Sequence, residues 1–241
     1  MAAANEGVLG VEAFGGTAGF AGDAGATDLP AAPGALQARS RRTVEALFRA
    51  AERILIRDGF AAATVAGIAH EAGVSVGAFY GRFEDREAFL SAYFDRAFER
   101  GRAAIDAGGL LAASDGSTSG KVRAYVAQRV AHYRERRPLL QAVQAWVAAG
   151  GGGAGYARRR GELADHAVET LSALVGEEMT TTGLEPDEAR RRVAFAVWLI
   201  AVGAHDAALR GDARNGSLRF AEKPLVDSLT AAALGVLGLA A

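Results

Sequence analysis

The sequence predicts an all-α fold, and three observations carry that prediction. Apolar residues recur at three- and four-residue steps in successive segments, the spacing that gathers them on one face of a helix. No segment alternates apolar and polar residues over the length of a strand. The segments are punctuated as helices are: Thr64 and Ser75 stand where a first-turn hydroxyl is wanted, Gly59 and Gly73 where a helix ends, and Pro186 where one begins. Half of the residues are apolar, many of them alanine, the best helix former.

Residues 1–37 are rich in Gly and Ala, lack any periodicity and carry Pro30 and Pro33 near their end. Such a segment buries too little apolar surface to offset the entropy of ordering, and a disordered tail is expected. A first helix follows over Ala38–Asp58, with Val44, Leu47, Phe48, Ala51, Ile54 and Leu55 on one face and arginines on the other. Thr64 caps a second helix whose stripe is Val65, Ile68, Ala69 and Ala72. Ser75 caps a third, with Phe79 and Phe83 inward, so residues 38–84 read as a three-helix unit.

The second unit, residues 85–241, is helical throughout. A fourth helix is expected from Asp85 or Arg86 to about Ala107, its acidic start (Glu84, Asp85, Glu87) suiting the positive end of the helix dipole. Gly108–Gly120 reads as a loop and Lys121–Arg136 as a helix with Val122, Tyr125, Val126, Val130 and Tyr133 in register. Pro138 breaks the pattern before a short helix containing Trp146, and Gly150–Gly153 reads as a flexible connection. Helices over Tyr156–Met179, Pro186–Arg210 and Leu225–Leu239 complete the chain, with a loop at Asn215–Phe220. The run Val193–Ala204 is apolar nearly all round and needs cover on more than one side. It and Leu229–Ala241 are too short to span a bilayer.

The densest information lies in residues 64–83. Two short helices joined by a tight turn form the arrangement that lays a helix into a DNA major groove. With Phe79 and Phe83 inward, the outer face of the third helix carries Val76, Gly77, Ala78, Tyr80 and Arg82: slim residues, one phenol and one guanidinium. A helix that must approach base edges closely needs slim residues there. Val76, Gly77, Ala78 and Arg82 are therefore assigned to base edges and Tyr80 to a phosphate. Arg86, at the start of the fourth helix, is placed at a second phosphate, and the caps Thr64 and Ser75 complete the DNA-facing set.

On these residues the segment from about Arg41 to Leu90 resembles the N-terminal DNA-binding domain of the TetR/AcrR family of bacterial transcriptional regulators. The matching residues are Asp58-Gly59-Phe60, Thr64 through Ala69, Ala72-Gly73-Val74-Ser75, Gly77 through Phe83 and Arg86 through Leu90. Arg82 stands where the family often has histidine and Arg86 where it usually has lysine; both keep a nitrogen donor. The resemblance covers about a fifth of the chain. It implies a C-terminal helical domain for effector binding and dimerisation, a homodimer on a palindromic operator, and repression relieved by a small-molecule effector.

Charge agrees with that placement. The chain's net charge is −1, but it is unevenly spread. Residues 1–38 hold four acids and no base, whereas residues 39–83 hold seven arginines against four acids. Positive charge thus concentrates where phosphates would lie. The absence of cysteine excludes disulfides and thiolate metal sites and accords with a reducing cytoplasm. No basic start followed by an apolar core suggests a secretory signal, so a cytoplasmic protein without a membrane partner is expected.

Catalysis finds no support: no Ser-His-Asp order, phosphate-binding loop or carboxylate pair stands out. His70, His132, His166 and His205 are scattered, and neither a metal nor a cofactor is expected. The C-terminal aromatics Tyr125, Tyr133, Trp146 and Trp198 are candidates for lining an effector pocket. One recognition helix reads too few bases for genomic specificity, so two copies are expected. Val197, Leu225, Leu229, Ala233 and Val236, with small residues Ala232, Gly235 and Gly238 beside them, are the candidate dimer seam, a four-helix interface.

Overall fold

A computed structural model describes residues 33–103, 105, 107–210 and 221–239. Its described residues form ten α-helices and no strand. They are α1 (Pro33–Arg57), α2 (Val65–Glu71), α3 (Val76–Tyr80), α4 (Arg86–Ala103), α5 (Ala107–Ala113), α6 (Thr118–Glu135), α7 (Arg137–Ala148), α8 (Gly153–Thr180), α9 (Pro186–Arg210) and α10 (Glu222–Leu237). A single 3-10 turn, Phe60–Ala62, joins α1 to α2.

The all-α reading holds, with four differences of local physics. First, α1 begins at Pro33, inside the segment expected to be a tail. Proline at a helix start loses no hydrogen bond, so helix propagates backward from Arg39 through Ala35, Leu36 and Gln37. The rest of the expected tail lies outside the described residues, as does the expected loop Asn215–Phe220. Second, α5 forms where a loop was expected. Leu110 supplies the reason, since it is buried beside Ile105 and Val122 in the C-terminal core. Third, the glycine-rich link before α8 is not slack. Gly150 and Gly152 take φ of +87° each, and a Cβ on Gly151 would lie 2.1 Å from the Trp146 Nε1. The backbone is pressed against an indole, a closeness only glycine permits.

The fourth difference concerns α9. The run Val193–Ala204 is short, but the helix as a whole, Pro186–Leu209, has the length and mean hydropathy (1.4 over its apolar window) of a membrane-crossing segment. Its inward residues Val193, Ala196, Val197, Ile200 and Ala204 are core, packed with α6, α8 and α10. Gly203 lets α10 cross closely: a Cβ there would sit 2.7 Å from the Leu229 Cδ2. The outward face keeps Phe195, Trp198 and Val202 in the open, each about half exposed.

Two hydrophobic cores result. One is built from α5, α6, α8, α9 and α10. The other joins α1, α2, α3 and α4, and it also takes in Ala142 and Trp146 of α7.

Candidate nucleic-acid interface

Helix α3 is positioned by the residue that caps it and by its one buried side chain. Ser75 is extended (φ −73°, ψ 154°), and its hydroxyl accepts the Ala78 N–H at 3.0 Å. Thr64 does the same for α2, accepting the Gly67 N–H at 3.1 Å. Between the helices Gly73 takes φ +69°, and Val74 N–H returns to the Ala69 carbonyl at 3.0 Å, closing α2 with a left-handed residue. Phe79 is fully buried, with ring centroids 5.1 Å from Phe89 and 5.7 Å from Phe83. A helix of five residues cannot hold its place through its own hydrogen bonds. Phe79 anchors it instead.

With Phe79 inward, Val76, Gly77 and Tyr80 are exposed and Ala78 is half-buried. Tyr80 is 54% exposed, its ring standing edge-on against Phe79 at 5.6 Å. The hydroxyl therefore leads outward on a braced ring. Arg82 is exposed, and its Nη1 donates to the adjacent Gly81 carbonyl at 3.1 Å. The outward face is thus the slim, two-donor surface expected from the sequence.

Arg86 is placed differently. Its Nε donates to the Ala63 carbonyl at 2.7 Å and its Nη2 to the Phe60 carbonyl at 3.1 Å, while the guanidinium stacks 4.5 Å from the centre of the Phe60 ring. These donors fasten the 3-10 turn to the start of α4, which corrects the phosphate contact expected of this residue. The Phe60 carbonyl already accepts the Ala63 N–H at 3.2 Å, and the arginine at the head of α4 adds a second donor to it and one to the Ala63 carbonyl just past the turn.

The arginines of α1 divide into two sets. Arg53 Nε meets the Glu71 carboxylate at 2.7 Å, and Arg57 meets Asp58 at 2.7 Å and Glu71 at 3.5 Å. Hydrogen bonds from these guanidiniums hold the Asp58 and Glu71 carboxyls below the usual range. Arg96 pairs with Glu45 and Arg100 with Glu52, tying α4 to α1. Arg39, Arg41 and Arg42 are exposed and make no ion pair among the described residues. Free positive charge therefore gathers toward the N-terminal end of α1.

The C-terminal candidates separate. Tyr125 and Tyr133 lie two turns apart on α6, Tyr125 fully buried and Tyr133 partly so, and burial pushes both phenols up, Tyr125 to about 12. Trp146 belongs to the core of the N-terminal half, where its Nε1 donates to the Glu87 carboxylate. Trp198 faces outward, stacked on Phe195 at 5.4 Å. Of the residues expected at a dimer seam, Val197, Leu225, Leu229 and Ala233 are buried inside the protomer and Val236 is half-buried against the same core. These residues do line one face of their helices, but that face turns inward. Among the described residues no three His, Asp or Glu side chains converge as a metal ion would require.

Sequence reasoning missed two residues. Glu87 was read only as a dipole partner, yet it bridges Trp146 and the Gly152 N–H, the latter at 3.2 Å. Arg129 was passed over, although its position on the stripe between Tyr125 and Tyr133 was a signal. It is 6% exposed.

Comparison with known proteins agrees with this geometry. Residues 47–93 match the family described as bacterial regulatory proteins, tetR family. No curated protein sequence matches the chain. Among solved structures, a TetR transcription regulator from Haloarcula marismortui is similar at TM-score 0.60 and 15% identity, covering 82% of this chain and 97% of its own. A transcriptional regulator from Pseudomonas aeruginosa is similar at TM-score 0.61 and 19% identity, covering 84% and 92%. FadR from Bacillus subtilis, solved with stearoyl-CoA, is similar at TM-score 0.51 and 14% identity, covering 82% and 96%. Residues 47–93 thus carry a helix-turn-helix of the tetR family, and over most of its length the chain has the fold of the regulators to which it is similar.

Proposed function

We propose that this protein is a cytoplasmic repressor that binds a palindromic operator as a homodimer and leaves it when a small-molecule effector binds the C-terminal half. The observation that carries the reading is the division of α3. Phe79 is fully buried, whereas Val76 and Tyr80 stand 43% and 54% exposed on the opposite face. Val76, Gly77, Ala78 and Arg82 then face base edges, Tyr80 positions a phosphate, and the Thr64 and Ser75 caps set the angle of approach. The free arginines Arg39, Arg41 and Arg42 supply further phosphate charge.

For the second subunit, the outward face of α9 with Phe195, Trp198 and Val202 is the better seam than the buried stripe first assigned. Helix α10, which packs on α9, also presents small exposed residues, Ala231, Ala232 and Gly235, that would allow close approach. Two aromatics and a valine left open on one helix are an apolar patch that an isotypic partner would cover. For the effector, Tyr125 and Tyr133 remain candidates. That the similar Bacillus subtilis FadR was solved with stearoyl-CoA supports the reading that this fold takes a small-molecule ligand. Effector binding would favour a dimer whose recognition helices no longer match successive major grooves.

The test is binding of the full chain to DNA flanking its own gene, by fluorescence anisotropy at several salt concentrations. Affinity that falls steeply with salt and survives excess unrelated DNA is the expected result. Equal affinity for unrelated DNA would overturn the operator reading.

A further inference from the structure

The C-terminal core holds a charge that its neighbours leave unanswered. Arg129 of α6 is 6% exposed, and among the described residues its buried Nε and Nη2 meet no hydrogen-bond acceptor. Tyr125 and Tyr133 lie one turn before and one turn after it, so the three side chains leave α6 in the same direction. The guanidinium carbon is 5.9 Å from the centre of the Tyr133 ring, and His205 of α9 meets the same ring at 5.7 Å. Among the described residues the groups that interact with the Arg129 charge are Tyr125, Tyr133, Arg136 and His132, and no carboxylate is among them.

The empty atoms are a matched pair. Nε and Nη2 form the edge of a guanidinium whose two N–H bonds run side by side, the edge that grips a carboxylate with two hydrogen bonds. In Arg53 and Arg86 this edge is occupied. Arg53 gives Nε to the Glu71 carboxylate and Nη2 to the Glu71 carbonyl. Arg86 gives the same two atoms to Ala63 and Phe60. A buried guanidinium lacking both acceptor and counter-charge is costly, and a bound anion supplies both. Burial also keeps the Tyr125 and Tyr133 phenols protonated, so each can donate to an anion.

Resting on the effector reading above, we propose that Arg129 is the anion-binding residue of the effector site and that the effector is a small organic acid. Its carboxylate takes the Nε–Nη2 edge, and its apolar body lies against Tyr125 and Tyr133.

The experiment measures calorimetric affinity and thermal stabilisation of the full chain and of Arg129→Gln. The probes are benzoate, straight-chain carboxylates from acetate to dodecanoate, the corresponding amides, and inorganic phosphate. At least one carboxylate should bind the unaltered protein about tenfold or more tightly than its amide, as expected for a charge-assisted bidentate pair. Arg129→Gln should lose that preference while keeping its helical circular dichroism and DNA affinity. Equal binding of acids and amides, or no carboxylate that favours the unaltered protein over Arg129→Gln, overturns the proposal. Saturable binding of phosphate with none of any carboxylate overturns it too. Should Arg129→Gln fail to fold, the acid-against-amide comparison on the unaltered protein decides. A carboxylate that requires Arg129 yet leaves operator affinity unchanged upholds the site and overturns the effector reading. A neutral amide that releases DNA from Arg129→Gln does the opposite.

Discussion

Trp146 Nε1 donates to both oxygens of the Glu87 carboxylate, at 2.8 and 3.0 Å. Glu87 lies in the first turn of α4, and Trp146 lies near the end of α7, 2% exposed against Phe94 at 4.7 Å. This contact joins the helix that follows the recognition unit to the loop that opens α8. Among the described residues the carboxylate has only the indole and the Gly152 amide as donors, so Trp146→Phe removes the indole's two contacts and leaves a small void. A loss of about 1–3 kcal/mol is expected by urea denaturation. Glu87→Gln keeps an acceptor in place and should cost less. A Glu87→Gln protein less stable than Trp146→Phe would show that the carboxylate has a further partner.

Arg86→Ala should act on stability and leave the electrostatics of DNA binding alone. Both of its outer hydrogen bonds end on backbone carbonyls, so the expected change is a loss of about 1–3 kcal/mol in folding. The slope of log affinity against log salt should stay the same. Tyr80→Phe should show the reverse pattern, with unchanged stability and uniformly weaker binding to all DNA sequences. A slope that falls by about one unit in Arg86→Ala would return this residue to a phosphate.

Leu229 and Trp198 separate core from seam. Leu229 fills the space over Gly203 inside the protomer, so Leu229→Glu buries an unpaired charge and should unfold the chain. Trp198 is 55% exposed, and Trp198→Glu should fold normally yet run as a monomer in light scattering and lose operator affinity. A dimeric Trp198→Glu protein would place the seam on another face.

Acid should weaken the fold well before its carboxylates are neutralised. Burial, with help from Arg129 and Arg136, lowers His132 from the ordinary value near 6.5 to about 3, and burial lowers His205 as well. In that window the unfolded chain binds protons that the folded chain refuses. Stability is therefore full above pH 6.5 and falls as pH drops below it. The slope for one such group approaches about 1.4 kcal/mol per pH unit. His132→Gln should flatten the profile of urea midpoint against pH between about 4.5 and 6.5. An unchanged profile would show that His132 reaches solvent.

The parts of this fold that were legible in the sequence are those fixed by neighbours along the chain. Thr64, Ser75, Gly73 and Pro186 each announce a helix end through a local hydrogen bond, a backbone angle or a missing donor, and the structure has ends at these positions. Phe79 inward with Val76 and Tyr80 outward follows from helical period alone. What sequence could not show is what partners distant in the chain decide. Arg86 turns to carbonyls 23 and 26 residues away, Trp146 to a carboxylate 59 residues away, and Leu229 to a glycine on another helix. An apolar stripe says that a face is covered; whether another helix of the same chain or a second copy covers it is a tertiary fact. Helix α5 was hidden for a related reason, because its glycines argue for a loop and only the burial of Leu110 outweighs them.

The core of the DNA-binding half is roofed by Ala142 and Trp146, which the chain contributes about sixty residues after the recognition helix. The unit that reads DNA is therefore not the unit that folds. Cutting after residue 84 would strip Phe89, Leu90 and Phe94 from the pocket that seats Phe79 and its neighbours, and cutting after α4 would still uncover Phe94 where the indole had lain. A chimera that grafts this recognition helix onto a foreign regulator must carry α7 with it or supply an indole from the recipient. Recombination that exchanges specificity is accordingly expected to preserve the fold at breakpoints beyond Gly152, and at earlier ones only where the recipient brings its own indole.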